Sequence, residues 1–419
     1  MFQFRLAHLG LIAAAIGLNT APAMIGLSSV AHATEQAVSL RPEIGKPLQA
    51  AQNLVNAQKY REALDKVREA EAIGGKTPVE QFTIDRMRAA AAYGANDNET
   101  AAKSFEAVIA TGRLSSGDQI KYVQTLGGLY YRIKDYPKAI TWLSRYLKEG
   151  GDDPKVRALL VQTYYLNNDL ARASQALRAD LQADDKAGRT PSEDQLQLLA
   201  NLAARQNDKA AYANAMERLV AHYPKKEYWA DLLNRVQSKP GYADRLALDL
   251  YRLKLASGQL NSAAQYMEMS QLALQAGFPA EGKKIVELGF QNNLLGTGPE
   301  AARHKRLRDL AAKSAAEDVK TMAQGEADAN KNKDGIGLVN LGYAYITTDQ
   351  FEKGISLMEQ GVRKGELKRP EDAKLHLALA YLQAGKKAKA IQMFKTVQGN
   401  DGTSDLARLW VMQINHPMN

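Results

Sequence analysis

Cysteine is absent from this chain of 419 residues. Its absence excludes disulfides, thiolate metal sites and a cysteine nucleophile. It also excludes a lipoprotein anchor, because that anchor requires a lipid-bearing cysteine. A strong charge excess is missing as well, since 55 basic residues face 46 acidic ones along the chain, for a formal net charge of +9. A field this mild does not favour nucleic acid as the partner.

Proline is scarce, at 13 residues, and the composition is typical of folded helical proteins. Apolar residues make up 45% and charged residues 24% of the chain, which argues against disorder. Ala, Leu, Lys and Gln recur throughout, and these residues favour helices over strands. We therefore expect an all-α fold.

Residues 1–33 have the features of a secretory signal. Arg5 precedes an apolar run from Leu6 to Leu18, and small-residue cleavage sequences follow. We predict cleavage near Ala33, because charge resumes at once with Glu35. The alternative is a retained membrane anchor, but polar residues and a proline interrupt the apolar stretch. The sequence thus predicts an exported, periplasmic protein that does not span the membrane after signal cleavage.

A period of 34 residues relates two segments in the first half of the chain. It separates Tyr130 from Tyr164, Asp135 from Asp169, Ala139 from Ala173 and Leu143 from Leu177. The pattern predicts a pair of antiparallel helices, with a small residue at their crossing and an aspartate at the start of the second helix. A second pair of segments, at a period of 36, lies near the carboxyl end.

Weaker copies fill the remaining chain and predict about ten helical hairpins in all. Two of them, near Trp229–Ala256 and near Pro299–Asn330, rest mainly on amphipathic periodicity. A helix from about Ser404 to Ile414 is expected to cap the last hairpin. The predicted organisation is a signal over 1–33, repeats over 34–224, degenerate hairpins over 225–334, and a repeat pair with its cap over 335–419.

These units resemble the tetratricopeptide repeat family. The resemblance implies a right-handed α-α superhelix that binds other proteins, although Val123 stands at the family's first tryptophan and glycine replaces a small residue at Gly282 and Gly354. From Tyr228 to Phe394 the layout is similar to exported tetratricopeptide proteins associated with TonB-type energy-transducing systems. That similarity implies a partner in such a system.

Residues for catalysis or for a cofactor are not apparent. The six histidines are scattered, and neither a Gly-x-Ser-x-Gly elbow nor a phosphate-binding glycine loop occurs. We expect no enzyme activity, no metal and no cofactor. The basic run Arg303–Arg308 leaves two interpretations open, a solvated helix face or a docking patch for an acidic protein segment or anionic headgroups.

The first helix of each repeat lines the groove in the resembled family. Groove positions are expected at Lys121, Gln124, Tyr131, Arg132, Lys155, Gln162, Tyr165, Asn201 and Arg205. In the carboxyl-terminal units the equivalent positions are apolar and include Tyr343 and Leu379, which indicates an amphipathic helix or a self-contact as ligand. The alternative for Tyr131 and Tyr165 is that both rings only pack between repeats.

Three functions are compatible with these features. The leading hypothesis is a periplasmic scaffold or adaptor for an envelope complex, such as TonB-linked transport, with a protein or peptide of the cell envelope as partner. The second is an assembly factor for polysaccharide export or outer-membrane biogenesis. The third is a solenoid platform of a peptidoglycan-active enzyme, which would require a non-repeat module. The sequence leaves the oligomeric state open, a homo-oligomer included.

Overall fold

The structure is a computed structural model that describes residues 40–418. This range contains 20 α-helices and no strand, so the all-α fold class is confirmed. The predicted signal and its cleavage site near Ala33 lie outside the described residues. None of the helices between residues 40 and 418 combines the length and the apolar character that a membrane span requires.

The chain divides into two compact units, one ending at Arg189 and the other beginning at Thr190. The first unit consists of four hairpins, in each of which we name the first helix A and the second helix B. They are α1 (Pro42–Asn56) with α2 (Tyr60–Glu71), α3 (Pro78–Gly94) with α4 (Asn98–Ala110), α5 (Ser116–Arg132) with α6 (Tyr136–Lys148), and α7 (Pro154–Leu166) with α8 (Leu170–Lys186). Each B helix also packs against the next A helix, so the hairpins stack consecutively.

The turn between helices A and B repeats the same chemistry. A residue with positive φ ends helix A, namely Gln58, Asn96, Lys134 or Asn168. In the last three hairpins an aspartate follows, and its carboxylate accepts a hydrogen bond from a backbone N–H in the first turn of helix B. Such a cap satisfies a backbone donor that the helix leaves unpaired. The Asp-x-x-x-Ala pattern therefore marks a real helix start.

The core of each hairpin lies where helix B crosses helix A. Ala139 is fully buried at this crossing, and Leu143 fills the space beside it. Gly127 of α5 admits the close approach, because a Cβ there would lie 2.6 Å from a methyl carbon of Leu143. The small and large residues of the repeat thus occupy the roles that their spacing predicts.

The second unit contains twelve helices. They are α9 (Glu193–Arg205), α10 (Lys209–His222), α11 (Lys226–Gln237), α12 (Ala247–Ala256), α13 (Ala263–Gln275), α14 (Pro279–Gln291), α15 (Ala301–Lys331), α16 (Ile336–Thr347), α17 (Phe351–Lys364), α18 (Pro370–Gln383), α19 (Lys387–Phe394) and α20 (Thr403–Asn415). Four pairs form close hairpins, α9 with α10, α13 with α14, α16 with α17, and α18 with α19. The helices α11 and α12 touch only loosely.

The hairpin predicted at Pro299–Asn330 is wrong. This segment forms the single helix α15, which is 31 residues long. Good helix formers run through it, and Gly325 is its only glycine, so no residue provides the left-handed turn that ends the A helices elsewhere. The ten predicted hairpins are thus eight close hairpins, one loose pair and one long helix.

The second unit closes on itself through its last helix. As expected, α20 packs against α19, where Trp410 stacks on Phe394 with ring centroids 6.1 Å apart. It also packs against α10 and α12, near the start of the unit. Arg245, in the turn before α12, is the main link: its guanidinium pairs with Asp372 of α18 at 2.7 Å and with Asp401 before α20 at 2.6 Å.

Candidate functional site

The candidate site is the helix-A face of the first unit. We define this face by the positions 13, 10, 6, 3 and 2 residues before the positive-φ residue that ends each A helix. It comprises Gly45, Leu48, Gln52, Val55 and Asn56 of α1, Thr83, Arg86, Ala90, Tyr93 and Gly94 of α3, Lys121, Gln124, Gly128, Tyr131 and Arg132 of α5, and Lys155, Ala158, Gln162, Tyr165 and Leu166 of α7. The seven groove residues predicted in α5 and α7 all belong to it.

Contacts between hairpins confirm that these positions share one surface. The guanidinium of Arg132 in α5 lies over the ring of Tyr93 in α3, 5.7 Å from its centroid. On the other side, Nε2 of Gln124 donates a hydrogen bond of 3.2 Å to Asp153, the residue that caps α7. Side chains of the face therefore reach from one hairpin to the next.

Three tyrosines occupy the same position in successive A helices, namely Tyr93, Tyr131 and Tyr165. All three are half-buried, so each ring packs against the protein on one side and remains accessible on the other. Burial and the nearby Tyr136 raise the pKa of Tyr131, which keeps its hydroxyl neutral and able to donate a hydrogen bond. Sequence reasoning identified Tyr131 and Tyr165 but missed Tyr93, whose position 38 residues before Tyr131 was the available signal.

The charged side chains of the face are all basic. Arg86, Lys121, Arg132 and Lys155 are the four, and no Asp or Glu occurs at any of the twenty positions. Lys121, Arg132 and Lys155 are exposed, while Arg86 is half-buried with its guanidinium over the ring of Phe82. The face can therefore offer aromatic area, amide groups and cations to a ligand.

The remaining predicted groove residues lie in the second unit. Asn201 is half-buried and Arg205 exposed, both on α9. Tyr343 and Leu379 are buried, with exposed fractions of 0% and 2%. The structure corrects the expectation of an accessible groove at these two positions: the ring of Tyr343 packs against Phe278 with centroids 4.9 Å apart, so the unit's own residues cover it. The self-contact, one of the two occupants expected there, is what the structure contains.

A buried charge cluster fills the interior beside Tyr343. Arg252 of α12 binds Asp249 at 2.6 Å and Glu281 at 2.7 Å, and its guanidinium lies over the Tyr343 ring. Nε2 of His376 lies 3.0 and 3.1 Å from the two carboxylate oxygens of Asp249. Burial alone would raise the pKa of Asp249, but His376 and Arg252 outweigh it and hold that pKa at about 2. Sequence reasoning missed this cluster, because its members come from separate helices.

The basic run on α15 is largely neutralised. Arg308 makes two hydrogen bonds of 2.8 and 2.7 Å with Glu287, and Arg303 pairs with Glu300 at 3.3 Å. These contacts favour the solvated helix face over the docking patch. No group of three histidine, aspartate or glutamate side chains within residues 40–418 is placed to hold a metal ion.

The stacked helical hairpins define a helical-repeat protein. Residues 86–154 in the first unit and 339–405 in the second match the family model of the tetratricopeptide repeat. These two segments are therefore tetratricopeptide repeats, and the resemblance read from the residue pattern is confirmed for them. No curated protein matches the sequence as a relative.

Several solved structures are similar to the chain at low identity. A tetratricopeptide repeat protein from Parabacteroides merdae is 12% identical, with a TM-score of 0.32, and the match covers 81% of this chain and 98% of that one. The TPR2AB domain of yeast Sti1, in complex with a pHSP90 peptide according to its description, is 16% identical over 64% of this chain and 98% of its own, with a TM-score of 0.28. Values this low say nothing about shared partners.

Proposed function

We propose that this protein is a non-catalytic scaffold that binds partner proteins through the helix-A face of its first unit. The supporting observation is the row of half-buried tyrosines, Tyr93, Tyr131 and Tyr165, at one position of three stacked hairpins. Partly exposed aromatic rings supply large contact area at low entropic cost and are enriched in protein interfaces. The second unit offers no equivalent row, because Tyr343 and Leu379 lie in its interior.

An extended protein segment is the ligand that fits this face. The side-chain amides of Gln124 and Gln162 can both donate and accept, as the backbone of an extended segment requires. The tyrosine rings between them provide apolar contact for its side chains. Protein binding is also the role in which helical-repeat surfaces are commonly used.

We further propose that the protein works in the periplasm, as an adaptor of an envelope complex such as TonB-linked transport. The support is the signal-like character of residues 1–33 and the sequence similarity over Tyr228 to Phe394. Fractionation of cells followed by amino-terminal sequencing tests the location. The proposal requires a mature chain that begins near Thr34 in the periplasmic fraction, and an intact amino terminus in the cytoplasm would contradict it.

The binding role is tested by the double substitution Tyr131→Ala and Tyr165→Ala. Wild-type and variant full-length proteins are used to capture proteins from envelope extract, which are quantified by mass spectrometry. We expect the double variant to lose the partners that the wild type enriches while it keeps its helical circular dichroism, because both side chains are only half-buried.

The matched control is Tyr164→Ala, at the neighbouring tyrosine. Its ring lies beneath the guanidinium of Arg172 in α8 and its hydroxyl is 3.5 Å from Ser144 in α6, so it packs between helices. We expect this control to retain capture despite a loss of stability. Unchanged capture by the double variant would refute the assignment of the face.

A further inference from the structure

The four cations of the helix-A face have no ion-pair partner among the described residues of the chain. Arg86, Lys121, Arg132 and Lys155 are all in this state. Many cations elsewhere in the first unit are paired, among them Lys138 with Glu106, Arg145 with Glu149, Arg157 with Asp180 and Arg172 with Asp169. The unit has its acidic residues on other surfaces and leaves this one face positive.

We propose that the partner segment is acidic and extended, an inference that rests on the protein-binding function above. Complementary charge across an interface raises the association rate and disfavours wrong partners. A basic segment would meet four cations and no carboxylate on the face. The nearest carboxylate, Asp153, is already engaged, because it accepts from Gln124 and from the backbone N–H of Lys155.

The repeat spacing sets the register of such a segment. Packed helices lie about 10 Å apart, and an extended chain advances about 3.3 Å per residue. About three residues therefore span one hairpin, and about nine residues span the three tyrosines. Acidic residues at intervals of about three would meet Arg86, Arg132 and Lys155 in turn, with the side chains between them against the rings.

An anionic nucleic acid strand is the competing occupant of a positive, tyrosine-bearing face. Binding of single strands usually combines a continuous basic groove with aromatic stacking. Here four cations are spread over three hairpins and alternate with the amides of Gln124 and Gln162. These amides suit the donors and acceptors of a peptide backbone, which favours protein as the source of the negative charge.

A random library of twelve-residue peptides, selected on the immobilised full chain, tests the proposal. We expect the enriched peptides to be rich in Asp and Glu at intervals of about three. Fluorescence anisotropy then compares the strongest peptide with its counterpart in which Asn and Gln replace Asp and Glu. We expect the neutral counterpart to bind about tenfold more weakly, since several exposed ion pairs together contribute roughly that much.

Two triple variants locate the charge effect. The face variant Lys121→Gln, Arg132→Gln, Lys155→Gln is expected to bind the acidic peptide about tenfold more weakly than the wild type does. The control variant Lys103→Gln, Lys148→Gln, Lys186→Gln removes three exposed cations from helices B and is expected to bind as the wild type does. Equal weakening by both variants would overturn the proposal, because a general field would then explain the binding.

The remaining outcomes separate this inference from the protein-binding function. Enriched peptides that are neutral or basic, and whose binding requires Tyr131, would overturn the acidic segment and leave the scaffold function standing. Displacement of the acidic peptide by a twelve-residue oligouridylate at equal concentration would overturn the choice of protein as ligand. Selection of no peptide, together with unchanged capture by the double tyrosine variant, would refute both proposals.

Discussion

At the scale of single residues, environment decides what a side chain can do, and the sequence does not show that environment. Tyr343 and Leu379 stand six residues before the turn residue of their helices, as Gly128 does in α5. Their repeat position predicted a groove, but Phe278 and Arg252 of the second unit cover Tyr343. Tyr131 and Tyr165 remain half-exposed because no helix of the first unit lies over them. The same repeat pattern therefore placed some site residues correctly and others wrongly.

Glu80 gives a prediction at this scale. It is buried at the start of α3, where its carboxylate accepts from the side chain of Arg41 and from the backbone N–H of Thr77. These hydrogen bonds lower its pKa to about 2, against about 4.3 in an unfolded chain. The stabilisation is present above pH 4.3 and is lost as the pH falls towards 2.

The substitution Glu80→Gln should therefore destabilise the protein at pH 7 and much less near pH 2. Urea unfolding of the wild type and the variant across this pH range measures the difference between their free energies of unfolding. We expect that difference to shrink between pH 4.3 and pH 2. A difference that is constant with pH would show that the charge of Glu80 contributes nothing.

At the scale of helices, the local turn signals were sufficient in some places and absent in others. The Asp-x-x-x-Ala pattern predicted the helix starts at Asp135 and Asp169, because an aspartate cap has a specific spacing to its backbone donor. The segment of α15 has an amphipathic period but no turn residue, and the spacing left between repeats produced a false hairpin there. Periodicity shows which face is buried, whereas a turn requires its own residues.

The crossing of α16 and α17 gives the prediction at this scale. Glycine stands at position 354, where the repeat family has a small residue, and the structure shows the reason. A Cβ at Gly354 would lie 2.6 Å from the carbonyl oxygen of Gly342 and 2.7 Å from Cδ1 of Ile346. The contact with backbone cannot relax by a side-chain rotation.

We expect Gly354→Ala to lower the free energy of unfolding by about 2–3 kcal/mol, the cost of overpacking a close contact. Chemical denaturation monitored by circular dichroism measures it. The control is Gly117→Ala in the first turn of α5, where a Cβ would meet nothing within 4 Å. That change should be neutral or slightly stabilising. Equal stability of the two variants would contradict the close crossing.

At the scale of the whole molecule, the chain forms two units, and the closure of the second depends on contacts that no repeat pattern predicts. Arg245 and Asp372 are separated by 127 residues, and Arg408 and Glu217 by 191. In the sequence each is an ordinary exposed charge of a helix or turn. The repeat predicted the hairpins but could not indicate that α20 returns to α10 and α12.

We predict that Arg245→Ala loosens this closure. It removes the pairs with Asp372 and Asp401 and leaves two carboxylates without their cation. We expect a loss of about 2 kcal/mol in the stability of the second unit, the usual cost for hydrogen bonds to charged groups. Hydrogen exchange of the full chain should show faster exchange in α12, α18 and α20 and no change in α1 to α8.

The control for this variant is Arg303→Ala. Arg303 pairs with Glu300 on the surface of α15, and both side chains are 60% exposed. Exposed pairs of this kind contribute little to stability, so exchange should match the wild type. If Arg245→Ala also left exchange in α20 unchanged, the return of α20 would not depend on this ion-pair link.

Site-specific photocrosslinking tests the central claim, that partners bind on the helix-A face of the first unit. A photoreactive phenylalanine is introduced at Tyr131 and at Lys155 on this face, and at Thr141 on the exposed surface of α6 as the control. The full chain is expressed in its own cells and irradiated there. We predict partner adducts from positions 131 and 155 and none from position 141. Adducts from position 141 alone would contradict the assignment of the binding face.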